Sequence, residues 1–331
     1  MASAEPNSAP DEVARSSKPG ANTASDPPPA SSGGLLWRLV GGVKSMRPHQ
    51  WVKNLFVLAP VFFAKDIFKQ ELLVRAFGAF GVFCLLASAV YTINDLVDAD
   101  ADRAHPVKRF RPIASGRVPV PAARVMGAAL LVLAFAGAFY GPWMFAAVVV
   151  AYFLQNVAYS FKLKKIAYLD VMLISTGFVL RVVAGGFATG IHVSWYLLVC
   201  TALLALFLGF GKRRHELAQA AHNAAKQRTA LQAYTPGALT AALAVTGIAT
   251  VVTYVAYTLD PSTRAFFKSD WLWLTTPCVL FGGIRFVQLV AGRPKGESPT
   301  QEMLRDVPFV LNLVVWVVVV LAIVYRLRPS E

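Results

Sequence analysis

The chain has 331 residues, of which 56% are hydrophobic and only 15% charged, with a mean hydropathy of +0.52. Apolar runs of about 20 residues recur along most of it, which excludes an ordinary soluble domain and predicts an all-α polytopic membrane protein. The formal net charge of +14 sits in short segments between apolar runs rather than along one soluble face, which argues against nucleic acid and for membrane orientation and anionic ligands.

In chain order, residues 1–33 are rich in Ala, Ser, Pro and Gly and read as a disordered tail, too poor in apolar groups to offset ordering entropy. They lack the basic start and apolar stretch of a signal peptide, so the first span is expected to act as the targeting element. An amphipathic piece, Leu35-Leu36-Trp37-Arg38-Leu39-Val40, is expected at the membrane interface. Nine membrane helices are then predicted at about 50–65, 72–94, 120–139, 142–161, 167–189, 194–211, 236–258, 270–291 and 307–326, around a central cavity.

Lys44, Arg47, Lys53, the 103–117 loop, Lys162, Lys164, Lys165 and Lys212-Arg213-Arg214 all fall on one side, whereas the turns Tyr140–Trp143 and Thr189–His192 carry no Lys or Arg. The positive-inside rule places the N-terminus and the basic loops in the cytoplasm, in an integral plasma-membrane protein whose cavity opens to that side. Residues 34–331 are expected to form one transmembrane domain, with loops 95–118 and 212–235 as its cap. The second loop could serve as a lid. Cys84, Cys200 and Cys278 lie in apolar stretches without CxxC spacing or nearby histidines, which argues against disulfides and zinc. Close packing of small residues would permit a homo-oligomer.

The chemistry gathers where the second predicted span meets the cytoplasm. At 100° per residue Asn94, Asp98 and Asp102 share one stripe with Asp95 close by, while Asp100 points elsewhere. Carboxylates so placed repel one another unless a hard cation, Mg2+ above all, binds and brings a phosphate with it. The adjoining loop, His105-Pro106-Val107-Lys108-Arg109-Phe110-Arg111-Pro112-Ile113-Ala114-Ser115-Gly116-Arg117, crowds cations beside that stripe and suits a polyphosphate leaving group. Within it Arg111 and Arg117 are the favoured phosphate contacts. A second cluster holds Tyr159, Lys162, Lys165 and Asp170, with Arg181 three turns further on the same face and deep in the membrane, where a cation needs a polar cavity or a partner.

The pattern Asn94-Asp95-x-x-Asp98-x-x-x-Asp102, the Arg-rich loop, Tyr159-x-x-Lys162 and Asp170 resembles the UbiA-type intramembrane prenyltransferase superfamily over about residues 44–327. Met46–Asn54, Asn94–Asp98 and Lys108–Gly116 resemble, within it, the branch of decaprenyl-phosphate phosphoribosyltransferases. The resemblance implies Mg2+ at Asn94, Asp98 and Asp102. It also implies transfer of 5-phosphoribose from phosphoribosyl pyrophosphate to a polyprenyl phosphate for cell-wall arabinan. On that reading Asp98, Asp102 and Asp170 are catalytic, and Lys53, Asn94, Arg111, Arg117, Tyr159, Lys162, Lys165 and Arg181 contact substrate. One departure stands out: where the superfamily's second acidic motif, DxxxD, has its second carboxylate, this chain has Ile174 after Asp170. Two other readings remain, a prenyltransferase acting on an aromatic acceptor and a transporter with Asp170 and Arg181 on its path.

Overall fold

A computed structural model describes residues 34–64, 69–222, 229–292 and 299–326. The proposed tail therefore lies outside the described residues. Helix α1 (Leu35–Met46) is followed by a 3-10 helix, Pro48–Leu58, then α2 (Ala59–Phe63), α3 (Gln70–Val97) and α4 (Ala99–Arg103). After the Arg-rich loop come α5 (Val120–Tyr140), α6 (Trp143–Phe161), α7 (Leu169–Thr189) and α8 (Trp195–His222). The chain closes with α9 (Pro236–Leu259), α10 (Pro261–Phe267), α11 (Thr276–Gly292), α12 (Pro299–Arg305) and α13 (Val307–Leu321). Among the described residues no strand occurs.

Among the described residues, eight helices are long and apolar enough to cross a membrane. The first predicted span differs. Pro48 opens a 3-10 helix of eleven residues that runs to Leu58, just before α2. At about 2.0 Å per residue in the 3-10 part and 1.5 Å in the α part, this piece still reaches about 30 Å, the thickness of a hydrocarbon core. The sixth predicted span also differs, since α8 runs on past Gly211 to His222 and carries Lys212-Arg213-Arg214 as helix rather than loop.

Lipid tails are as apolar as leucine, so close van der Waals packing and interhelical hydrogen bonds hold such a bundle together. Val57, Phe83, Leu86, Val149, Tyr152 and Ala184 form its largest buried cluster, joining the 3-10 helix to α3, α6 and α7. Gly185 permits that approach, because a Cβ there would lie 1.9 Å from the Val57 carbonyl oxygen. The obstacle is backbone and cannot rotate away. Gly185→Ala is therefore expected to part the 3-10 helix from α7 and to destabilise the fold by ~1–3 kcal/mol or more. A detergent melting curve as steep and as high as that of the wild type would reject this packing.

Candidate functional site

Helix α3 ends at Asp98, and α4 restarts at once in near-helical register, with Asp98 N–H donating to Asn94 O (2.9 Å) and Asp102 N–H to Asp98 O (2.8 Å). The predicted stripe therefore survives a break in the helix. Asp95 and Asp102 are buried, whereas Asn94 and Asp98 are half-buried. Asp100 points outward and pairs with Arg103 at 2.5 Å. Repulsion between the buried acids is relieved by arginine: Arg111 Nη1 lies 3.1 Å from Asp95 Oδ1 and 2.7 Å from Asp102 Oδ2. Arg47 Nη2 reaches Asp95 Oδ1 from the other side at 2.7 Å.

The loop is shaped for this contact. Ser115 N–H donates to Arg111 O (2.8 Å), Val118 N–H donates to Pro112 O (2.8 Å), and Gly116 supplies a φ of +74°. A residue with a Cβ is strained there. Asp98 makes no ion pair among the described residues. No group of three or more His, Cys, Asp and Glu among them stands ready to hold a metal. The donor set nevertheless suits Mg2+, which keeps several waters and takes one or two carboxylates together with substrate phosphates. Asp98, Asp102 and the Asn94 amide provide that number.

Arg117, expected on a phosphate, turns the other way. Its Nε donates to Trp37 O at 2.8 Å and its guanidinium carbon sits 4.8 Å from the centre of the Trp37 ring. It joins the loop to α1, an aromatic stacking role suited to a guanidinium. Arg181 is buried within the membrane region and donates to Asn54 Oδ1 (2.9 Å), Gly177 O (2.9 Å) and Tyr152 Oη (2.6 Å). All three partners are neutral, so the tie holds helices together without cancelling its charge. Lys53, half-buried on the 3-10 helix, stands among the cations Lys212, Arg181 and Arg47.

Asp170, expected to act in the site, has no exposed surface. It accepts from Tyr234 Oη at 2.7 Å and faces Arg213 Nε at 3.4 Å, itself 1% exposed. Tyr234 Oη also receives the Tyr168 N–H at 2.6 Å, and the Tyr168 backbone stands at φ +64°. Burial and the bond to Asp170 hold the Tyr234 phenol well above its ordinary pKa, so it remains a donor. The carboxylate is thus an anchor where α7, α8 and the end of the 212–235 segment meet, and the structure places Asp170, expected to be catalytic, in this buried position. Tyr159 is half-buried on α6, and Lys162 and Lys165 are exposed at its end. Sequence reasoning missed Arg213 and Tyr234. Gly209, four residues before Arg213 on α8, lets that helix close on Val171 beside Asp170, a contact that only the structure shows.

The fold and site define an integral membrane protein of the all-helical class, with an acidic span end bound by arginines. A family model described as the UbiA prenyltransferase family matches residues 55–213. The decaprenyl-phosphate phosphoribosyltransferase of Corynebacterium glutamicum is 35% identical over 291 residues, covering 86% of this chain and 87% of that protein. Its namesake from Mycolicibacterium smegmatis is 35% identical over 298 residues, covering 87% and 93%. A UbiA homolog from Archaeoglobus fulgidus, bound to GPP and Mg2+, shares the fold at a TM-score of 0.60 and 18% identity, covering 86% of this chain and 99% of that one. The chain belongs to the UbiA prenyltransferase family.

Proposed function

We propose that the chain transfers 5-phosphoribose from phosphoribosyl pyrophosphate to decaprenyl phosphate or a similar polyprenyl phosphate, releasing pyrophosphate, for cell-wall arabinan. The carrying observation is the acidic span end bridged by Arg111, in a chain 35% identical over 86% of its length to a decaprenyl-phosphate phosphoribosyltransferase. The reaction takes place at the cytoplasmic face of the plasma membrane, where the positive-inside rule puts the basic loops. Segments 95–118, 212–222 and 229–235 would cap the site, while residues 223–228 of the expected cap lie outside the described residues.

Asn94, Asp98 and Asp102 would hold Mg2+, which when bound supplies charge neutralisation to a polyphosphate. Arg111 uses Nη1 on the two buried acids, which leaves Nε and Nη2 to face the pyrophosphate. Lys53 adds a second cation. As the C1–O bond breaks, its electron pair leaves with pyrophosphate, and fixed cations stabilise the charge that develops there. An oxygen of the lipid phosphate forms the new bond to C1. That oxygen is already anionic, so no general base is required; positioning on the opposite face gives inversion at C1. Lys162 and Lys165 orient phosphate groups at the exposed rim, and Tyr159 hydrogen-bonds the ribose. Arg181, tied to neutral partners, contributes its field. Asp170 supports the site from behind.

The test is incubation of the purified protein with labelled phosphoribosyl pyrophosphate, a polyprenyl phosphate and Mg2+, followed by extraction into organic solvent. Label is expected in the lipid and is expected to vanish with EDTA. Unlabelled lipid, together with consumption of a polyprenyl diphosphate in the presence of an aromatic acceptor, would replace this reading with prenyl transfer.

A further inference from the structure

Helix α1 presents two opposed faces. Trp37, Gly41 and Ser45, four residues apart, form the face that packs on the protein, and a Cβ at Gly41 would lie 2.9 Å from Arg117 Cγ. On the other side Leu35, Leu36, Leu39, Val40 and Val43 form one stripe at helical spacing, with Leu35 and Leu36 75% and 74% exposed. Arg38 and Lys44 flank that stripe. Such a helix, apolar on one side and basic at its edges, is built to lie in a headgroup layer.

The contacts of α1 set its depth. Its packed side meets α5 at Met126, the seventh residue of that helix, whose Sδ lies 3.5 Å from the position of a Gly42 Cβ, and α3 at Ser88, nine residues before its last, whose Oγ donates to Met46 O at 3.1 Å. Both α3 and α5 are membrane spans. A helix packed against residues inside two spans lies at membrane level, so its outward apolar face meets lipid. Its C-terminal end reaches the acidic site directly, and its Trp37 end reaches the loop that carries Arg111. Arg47, directly after α1, holds φ +54°, a conformation costly for a residue with a side chain. From there it pairs with Asp95 at 2.7 Å and lies 4.9 Å from the centre of the Tyr91 ring. Trp37 holds Arg117, at the end of the loop that carries Arg111.

We infer that α1 is a lipid-seated strap: its Leu35–Val43 stripe docks into the headgroup and acyl boundary of the bilayer, and this seat positions Arg47 and the Arg111 loop around Asp95 and Asp102. Trp37, Arg47 and Arg117 are positioning residues in this arrangement. The second half rests on the proposed function; the lipid seat does not.

The experiment uses the full chain in vesicles of phosphatidylcholine and phosphatidylglycerol. A spin label on Leu39→Cys, with equally treated wild type to subtract labelling at the native cysteines, is expected to collide with oxygen in preference to a water-soluble nickel chelate. Preferential collision with the chelate would overturn the lipid seat. Dipolar broadening between labels would also overturn it, by placing a second copy on the stripe. In the same vesicles Leu39→Glu is expected to raise KM for phosphoribosyl pyrophosphate about five-fold, the lower end of ordinary coupling between sites, with kcat held. Leu39→Phe is expected to retain the wild-type KM. An unchanged KM in Leu39→Glu would overturn the positioning half. Absence of any wild-type turnover would overturn the catalytic reading and the positioning half together, while the spin label still decides the seat.

Discussion

Asp98→Asn is expected to lower kcat by about 10²-fold or more and to raise the Mg2+ concentration needed for half-maximal rate. Asp98 is the cleanest position for this test. It is half-buried at the joint between α3 and α4 and has no ion-pair partner among the described residues. The substitution keeps size and removes only charge, so the melting temperature is expected to stay near that of the wild type. Asp102→Asn is less clean, because Asp102 also receives Arg111 at 2.7 Å. If the two carboxylates serve one cation, the double variant is expected to be no slower than the worse single one, since groups acting as a unit lose their effect once. Wild-type turnover at wild-type Mg2+ dependence in Asp98→Asn would dismiss the metal assignment.

Arg111→Ala is expected to cost about 10²–10³-fold in kcat, the loss usual for a donor aimed at developing charge. It also leaves two buried acids with less compensation, at a cost to stability of ~1–3 kcal/mol. Arg111→Lys separates the two effects. One nitrogen, Nη1, makes both ion pairs of Arg111, and a lysine ammonium reaching that point would satisfy Asp95 and Asp102 together. It would then have no further nitrogen for the pyrophosphate, whereas arginine keeps Nε and Nη2. The lysine variant is therefore expected to melt like the wild type yet remain slow. Full activity with lysine would make Arg111 a structural bridge only.

Much of this was legible along the chain. Apolar runs of span length set the membrane class, because the hydrocarbon core fixes a length that local composition either meets or fails. The i, i+4 spacing of Asn94, Asp98 and Asp102 placed them together, since helix period is a local property that here persists across the break at Asp98. That some cation of the 103–117 loop would stand beside the acids followed from how short and turn-rich that loop is.

Partner choice over long separations was not legible. Nothing local distinguishes Arg111, which meets the acids, from Arg117, six residues later, which turns to Trp37 across 80 positions. Arg181 finds Asn54 across 127 positions, and Asp170 finds Tyr234 across 64. The 3-10 winding of Pro48–Leu58 likewise accompanies the close approach of Val57 to Gly185 rather than any apolar period. The sequence by itself determined the membrane class, the acidic stripe and the surplus of cations around it, because each depends on composition or on neighbours one helical turn apart. Only the tertiary structure decided which cations face the acids, which are held by tryptophan or neutral oxygens, and that Asp170 lies buried, because those choices depend on which helices pack together.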